Sequence, residues 1–154
     1  MKRFNDLVND CLNSVEELFP WDLEERLQAN PDLLLLDVRE ADEYAAMHIE
    51  NSVLVPRGVL ESACEYNYDE AVPQLVESRN KEVVVICRSG NRSVLAAHTL
   101  QQLGYQKVFS LKTGLRGWND YELELIDHQG QAVDIDDADE FFRSKLRPEQ
   151  MTPK

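Results

Sequence analysis

Cys87 is the residue of this chain best placed for covalent chemistry. It closes the β-branched run Val83-Val84-Val85-Ile86 and opens the segment Cys87-Arg88-Ser89-Gly90-Asn91-Arg92-Ser93. From Ser93 the apolar residues recur at helical spacing through Val94, Leu95, Ala97, His98, Leu100 and Leu103, and Gly104 supplies a stop. The pattern predicts a buried strand, a sharp loop and a helix, with the thiol at the turn. A helix start leaves backbone N–H groups without intrahelical acceptors, and a tight loop through Gly90 can aim more of them at one point. Cys87 sits where such an anion nest would point. Thiolate is the nucleophilic form of cysteine, and electropositive loops favour it. A helix dipole contributes only ~0.3–1 kcal/mol, so loop amides and the cations Arg88 and Arg92 are expected to carry much of the stabilisation. The same donors suit a bound anion or a negative sulfur added to Cys87.

This segment resembles the active loop of the rhodanese, or thiosulfate sulfurtransferase, family. Other stretches resemble that family's motifs in the family's order: Leu33–Arg39 (LLLLDVR), Glu43–Ile49 (EYAAMHI), Val55–Glu61 (VPRGVLE) and Gly114–Trp118 (GLRGW). The resemblance covers about residues 20 to 121. It implies a three-layer α/β fold with a mostly parallel central sheet and helices on both faces. It also implies a sulfurtransferase, in which Cys87 takes a sulfane sulfur from thiosulfate or a related small anionic donor and becomes a persulfide. The outer sulfur then passes to cyanide or to a thiol or protein acceptor. No metal or organic cofactor is implied, because sulfur itself is the electrophile. Arg88 and Arg92 would hold the anion, while Ser89, Gly90, Asn91 and Ser93 supply amides or shape the loop. Three positions differ from the family pattern: Met47 where a Gly usually precedes the His, Asn51 where Gly is common, and Thr113 beside Gly114 where paired glycines are usual.

Two other readings compete. Cysteine-dependent phosphatases, some sharing the rhodanese fold, carry Cys-x5-Arg, a loop that admits a tetrahedral phosphate. Cys87 to Arg92 is Cys-x4-Arg, which disfavours a phosphatase or arsenate reductase. A non-turnover persulfide carrier or interaction module in a sulfur relay is the stronger alternative, with the terminal elements docking a partner.

Further residues support the loop or fall near it. Asp37 and Arg39 lie at the carboxyl end of a predicted strand, Leu33–Val38, the edge where open α/β sheets form sites. Asp37 can cap the next turn or pair with an arginine. Glu43 is a candidate partner for Arg92, orienting its guanidinium as a bidentate fork. Arg57 follows Pro56 on a segment that could approach the substrate, and His48 reads as a hydrogen-bonded structural residue. Cys64, on a predicted helix with Leu60 and Ala63, is either a packing residue or a resolving thiol for Cys87. No His, Cys and Asp spacing suggests a conventional triad.

Residues 3–18 carry Phe4, Leu7, Val8, Cys11, Val15 and Leu18 at spacings of three and four, which predicts one amphipathic helix ended by Pro20. Its apolar stripe leaves homodimerisation open. A short helix from Asp22 to Leu27, a strand Val53–Val55, a helix Asp69–Ser78, a strand Lys107–Leu111 and a turn and helix Gly114–Tyr121 follow, with Trp118 packing under the loop. Beyond them come an alternating stretch at 123–126, a turn at Gly130 and a helix Asp136–Lys145 docked by Phe141, Phe142 and Leu146. Residues 148–154 are expected to fray. The chain thus divides into an N-terminal helical extension (1–19), a rhodanese-like domain (20–121) and an acidic C-terminal extension packed on it (122–154).

The chain carries 43% hydrophobic and 29% charged residues, the balance of a globular domain. Asn5, Asp6, Asn9 and Asp10 interrupt any apolar leader, no stretch is long enough to cross a membrane, and three widely spaced cysteines suggest neither a disulfide scaffold nor a zinc site. A reducing cytoplasm is the expected setting. A net charge of −13 argues against nucleic acid as a partner. All 29 acids lie outside the window Val83–Asn119, which holds Arg88, Arg92, Lys107, Lys112 and Arg116, a distribution suited to focusing a small anion.

Overall fold

Short apolar runs build the sheet around which everything else packs. A computed structural model describes all residues, Met1–Lys154. Its strands are β1 (Glu16–Leu18), β2 (Leu34–Asp37), β3 (Val53–Leu54), β4 (Glu82–Ile86) and β5 (Lys107–Leu111). They form one sheet in the order β1-β5-β4-β2-β3, and every pairing is parallel. β4 is central, and after Glu82 its residues Val83–Ile86 are all apolar and buried, as helices covering both faces require. Val83 and Val85 face one cluster with Leu34, Leu36, Val94, Ala97 and Leu100, while Val84 and Ile86 face another with Leu23, Leu115, Trp118 and Phe142. Cys87 continues the Val83/Val85 side and belongs to the first cluster.

The helices α1 (Phe4–Cys11), α4 (Leu60–Ala63), α5 (Pro73–Val76) and α6 (Asn91–Gln102) contribute to the first cluster. On the other face lie α2 (Pro20–Ala29), α7 (Gly114–Asp120) and α8 (Ile135–Phe142), and α3 (Ala41–Ala46) follows β2. This is the three-layer α/β fold with helices on both sides of a parallel sheet.

Four expected elements differ. The helix expected over 3–18 stops at Cys11, and Glu16–Leu18 instead pairs with Phe109–Leu111 as an edge strand. The spacing of Val15 and Leu18 fits either element, and β5 supplies the backbone partners that decide it. Pro20 begins α2 rather than merely ending what precedes it. Its missing N–H costs nothing at the first helical position, and Asp22 accepts the Phe19 N–H at 3.2 Å. Asp69–Ser78 is helical only over Pro73–Val76, because Pro73 cannot continue a helix and holds Val72 extended, at φ −113° and ψ 100°. Finally, α8 runs from Ile135 to Phe142 rather than to Lys145; Phe142 is buried, but Leu146 is 60% exposed and docks nothing. The tail forms a 3-10 turn over Pro148–Gln150.

Candidate active site

The carboxyl end of β4 delivers Cys87 into a loop shaped from outside by α7. The backbone N–H groups of Leu115 and Arg116 donate to the carbonyls of Cys87 (2.9 Å) and Arg88 (3.0 Å). Gly114 makes that approach possible: its φ is +60°, and a Cβ there would lie 2.5 Å from Arg88 and Cys87 backbone atoms. Gly90, at φ +96°, turns the chain into α6. With two carbonyls held outward, the N–H groups of Gly90 and Ser93 donate to Cys87 Sγ at 3.1 and 3.3 Å. Those of Ser89, Asn91 and Arg92 have no acceptor within the chain. The result is a concave set of amides around a sulfur, the arrangement that holds an anion.

Behind the sulfur lies a pair of buried hydroxyls. Ser93 Oγ is 3.2 Å from Cys87 Sγ and 2.8 Å from Ser110 Oγ on β5. Both serines are fully buried, and Ser110 Oγ has no hydrogen-bond partner besides Ser93. Cys87 itself is only 1% exposed, so its sulfur presents no open face to a bulky group.

The two loop arginines are held differently. Arg92 makes a bidentate fork with Glu43, both contacts at 2.9 Å. Burial works against charge on Glu43, but hydrogen bonds from Arg92 and the Glu40 N–H prevail and hold its carboxyl below the usual range. Its hydrogen bond to Glu43 correspondingly raises Arg92 above the ordinary guanidinium value. Arg88 instead donates through Nη2 to the carbonyls of Phe142 (2.9 Å) and Arg143 (3.2 Å) at the end of α8. Those carbonyls lack intrahelical partners, so a cation there is favourable. The Nε and Nη1 groups of Arg88 make no hydrogen bond within the chain.

The remaining expected residues divide cleanly. Asp37 and Arg39 form a buried ion pair, Nη2 to Oδ2 at 2.9 Å, and Arg39 also donates to the Met47 carbonyl at 2.7 Å. They brace the β2–α3 connection and make no hydrogen bond to Cys87–Ser93. Arg57 is not brought to the loop: it pairs with Glu61 (3.0 Å) and Thr99 Oγ1 (3.1 Å), well along α6. His48 stacks on Tyr44, with ring centroids 3.8 Å apart, and exchanges backbone hydrogen bonds with Ile126, as befits a structural residue. Cys64 is buried and free, its thiol pushed up by burial. It neighbours Tyr105 near the amino ends of the strands, whereas Cys87 lies past the carboxyl end of β4, so a resolving disulfide would require rearrangement.

Of the three departures from the family pattern, Met47 is simply extended, with φ −167°. Asn51 and Thr113 occupy left-handed backbone at φ +68° and +66°. Asparagine tolerates that region; a β-branched threonine is strained in it. Sequence reasoning missed Ser110, the positioning role of Gly114 and the α8 carbonyls that hold Arg88. Ser110 left a signal as a lone hydroxyl in the otherwise apolar core of β5 and Gly114 as a motif residue whose use was not marked, while nothing in the sequence marked the α8 carbonyls.

Comparisons with known proteins bear on the family and the fold. The description "Rhodanese-like domain" matches residues 20–121. The "Putative sulfur carrier protein YrkF" of Bacillus subtilis is 34% identical over 119 residues, 77% of this chain but only 58% of that protein's length. The "Putative thiosulfate sulfurtransferase, mitochondrial" of Schizosaccharomyces pombe is 33% identical over 103 residues, 65% of this chain and 72% of that protein. Among solved structures, a Rhodopseudomonas palustris protein described as of unknown function and a "Possible Tyrosine Phosphatase" superposes with a TM-score of 0.72 at 27% identity, covering 79% of this chain and 92% of the other. No helix is long and apolar enough to cross a membrane. With the motif order, the parallel sheet and a match spanning most of its length, the chain belongs to the rhodanese-like domain family.

Proposed function

We propose that the protein is a sulfurtransferase working through a Cys87 persulfide. The Cys87 thiolate attacks the outer sulfur of thiosulfate or a related sulfane donor. A bond forms between the two sulfurs, the donor's S–S bond breaks, and sulfite leaves with the electron pair. A nucleophile, cyanide or a thiolate, then attacks the outer sulfur and returns the pair to Cys87. The observation that carries this reading is the pair of loop amides on Cys87 Sγ, with three further N–H groups beside them that have no acceptor. That cradle suits a negative charge on Cys87 at both ends of the cycle, and the free Nε and Nη1 of Arg88 can meet the donor's anionic group.

The low exposure of Cys87 favours a second reading, a carrier loaded once and discharged to a protein partner. The Bacillus relative described as a putative sulfur carrier supports the same reading. A steady-state assay of thiocyanate formation from thiosulfate and cyanide separates them. Many turnovers per Cys87, abolished in Cys87→Ala, support the enzyme; one equivalent and no more supports the carrier. Cys87-dependent hydrolysis of an aryl phosphate would overturn both in favour of the phosphatase reading.

A further inference from the structure

A cleft of about 430 Å³ opens beside Arg88 of the loop, and its far wall comes from residues outside the family match. Arg88 lines it from the loop, Asp42 and Glu43 line it from α3, and Phe141, Arg143 and Lys145 line it from the C-terminal extension. Its size falls within the ordinary range of small-molecule sites. The pairing of its charges gives the ligand. Glu43 is neutralised by Arg92, and Arg143 by Glu140 at 2.8 Å. Neither Arg88 nor Lys145 has a carboxylate partner; Arg88 is tethered through Nη2 to backbone carbonyls, and Lys145 Nζ lies 5.9 Å from the centre of the Phe141 ring. Of the carboxylates lining the cleft only Asp42 is unpaired, and Lys145 also feels Glu140, which Arg143 already holds, so the cleft keeps an excess of positive charge in a chain whose net charge is −13.

We propose that this cleft is an acceptor subsite for a small thiol bearing carboxylate groups. Its carboxylate lies against Lys145 and the free nitrogens of Arg88; Cys87 does not line the cleft, so the thiol reaches past Arg88 to the outer sulfur of a persulfide on the preceding residue. The site rests on the persulfide reading above. The acceptor thiol gives its proton to solvent, and the resulting thiolate attacks the outer sulfur of the persulfide. A new S–S bond forms on the acceptor, the bond to Cys87 Sγ breaks, and its electron pair stays on Cys87. Lys145 stands at the rim and takes no part in these bonds; it selects the acceptor by charge, which also explains how an acidic protein would receive an anionic thiol.

The test uses the full chain and Lys145→Glu, a change in an exposed segment that leaves the core intact. Protein loaded with thiosulfate is freed of donor and discharged by glutathione or by uncharged 2-mercaptoethanol. The charge reversal is expected to slow discharge by sub-saturating glutathione about fivefold and to leave 2-mercaptoethanol unchanged. Equal effects on both thiols, or none, would overturn the subsite. Calorimetric binding of S-methylglutathione, which cannot accept sulfur, needs no persulfide. Binding to the native chain that weakens about fivefold in Lys145→Glu supports the site, and absent or unchanged binding overturns it. Failure of the persulfide reading shows separately, as native protein that gains no sulfur from thiosulfate.

Discussion

Gly114→Ala probes the contact that shapes the loop. The new Cβ would stand 2.5 Å from the carbonyl carbon and oxygen of Arg88 and from the carbonyl oxygen of Cys87. These are backbone atoms that cannot rotate aside, so α7 and the loop must separate. Left-handed backbone at φ +60° costs alanine about 1 kcal/mol. Forced crowding in a packed interior adds about 2 kcal/mol. For a chain of this size, about 3 kcal/mol corresponds to a fall in Tm of roughly 6–12 °C. Gly130→Ala is the internal control, since Gly130 has φ +78° but nothing within 4 Å of a Cβ. It should lose only the backbone share, roughly 2–4 °C. Separation would also pull the Leu115 and Arg116 amides off the two loop carbonyls and rotate the Gly90 and Ser93 N–H groups away from the sulfur. Sulfur loading from thiosulfate should then fall about a hundredfold in Gly114→Ala and stay unchanged in Gly130→Ala. Thermal melts and single-turnover loading measure both. Equal melting temperatures and equal loading for the two variants would refute the idea that α7 shapes the amide cradle.

Two other predictions concern charge and strain. Burial opposes ionisation of Glu43, but Arg92 prevails and lowers its folded-state value, so the stability it contributes is present above the ordinary value near 4.5 and is lost as the pH falls through the folded value. Glu43→Gln should cost about 1.5 kcal/mol at neutral pH and flatten that acid limb of the stability curve, while an unchanged limb would remove Glu43 from the account. Thr113→Gly should relieve left-handed strain and, after glycine's own entropic cost, raise stability by about 0.5 kcal/mol. A lower Tm would mean that the Thr113 hydroxyl bond to the Lys112 carbonyl outweighs the strain.

The chemistry was legible in the sequence where it depends on neighbours along the chain. Val83–Ile86 followed by Cys87 and a helical period gave the strand, loop and helix, and the Glu43–Arg92 fork followed from a carboxylate and a guanidinium each placed by its own motif. Elements decided by distant partners were not legible. Glu16–Leu18 becomes a strand only because β5 offers an open edge, and its three residues are too few to show a period. Arg88 reads as a loop cation, yet its neighbours are carbonyls 54 and 55 residues away, exposed only because α8 ends at Phe142. Arg57 shows the converse: a motif placed it near the site, but Glu61, one helical turn on, and Thr99 hold it elsewhere. Gly114 was visible as a motif residue, while its use depends on two backbones meeting at 2.5 Å from an atom it does not have.

The persulfide is tested most directly by intact mass of the purified protein before thiosulfate, after thiosulfate, and after subsequent cyanide, with Cys87→Ala alongside. The account predicts a gain of one sulfur that requires Cys87 and is removed by cyanide. A gain that survives in Cys87→Ala, or no gain on protein whose Cys87 is confirmed free and reduced, would contradict it.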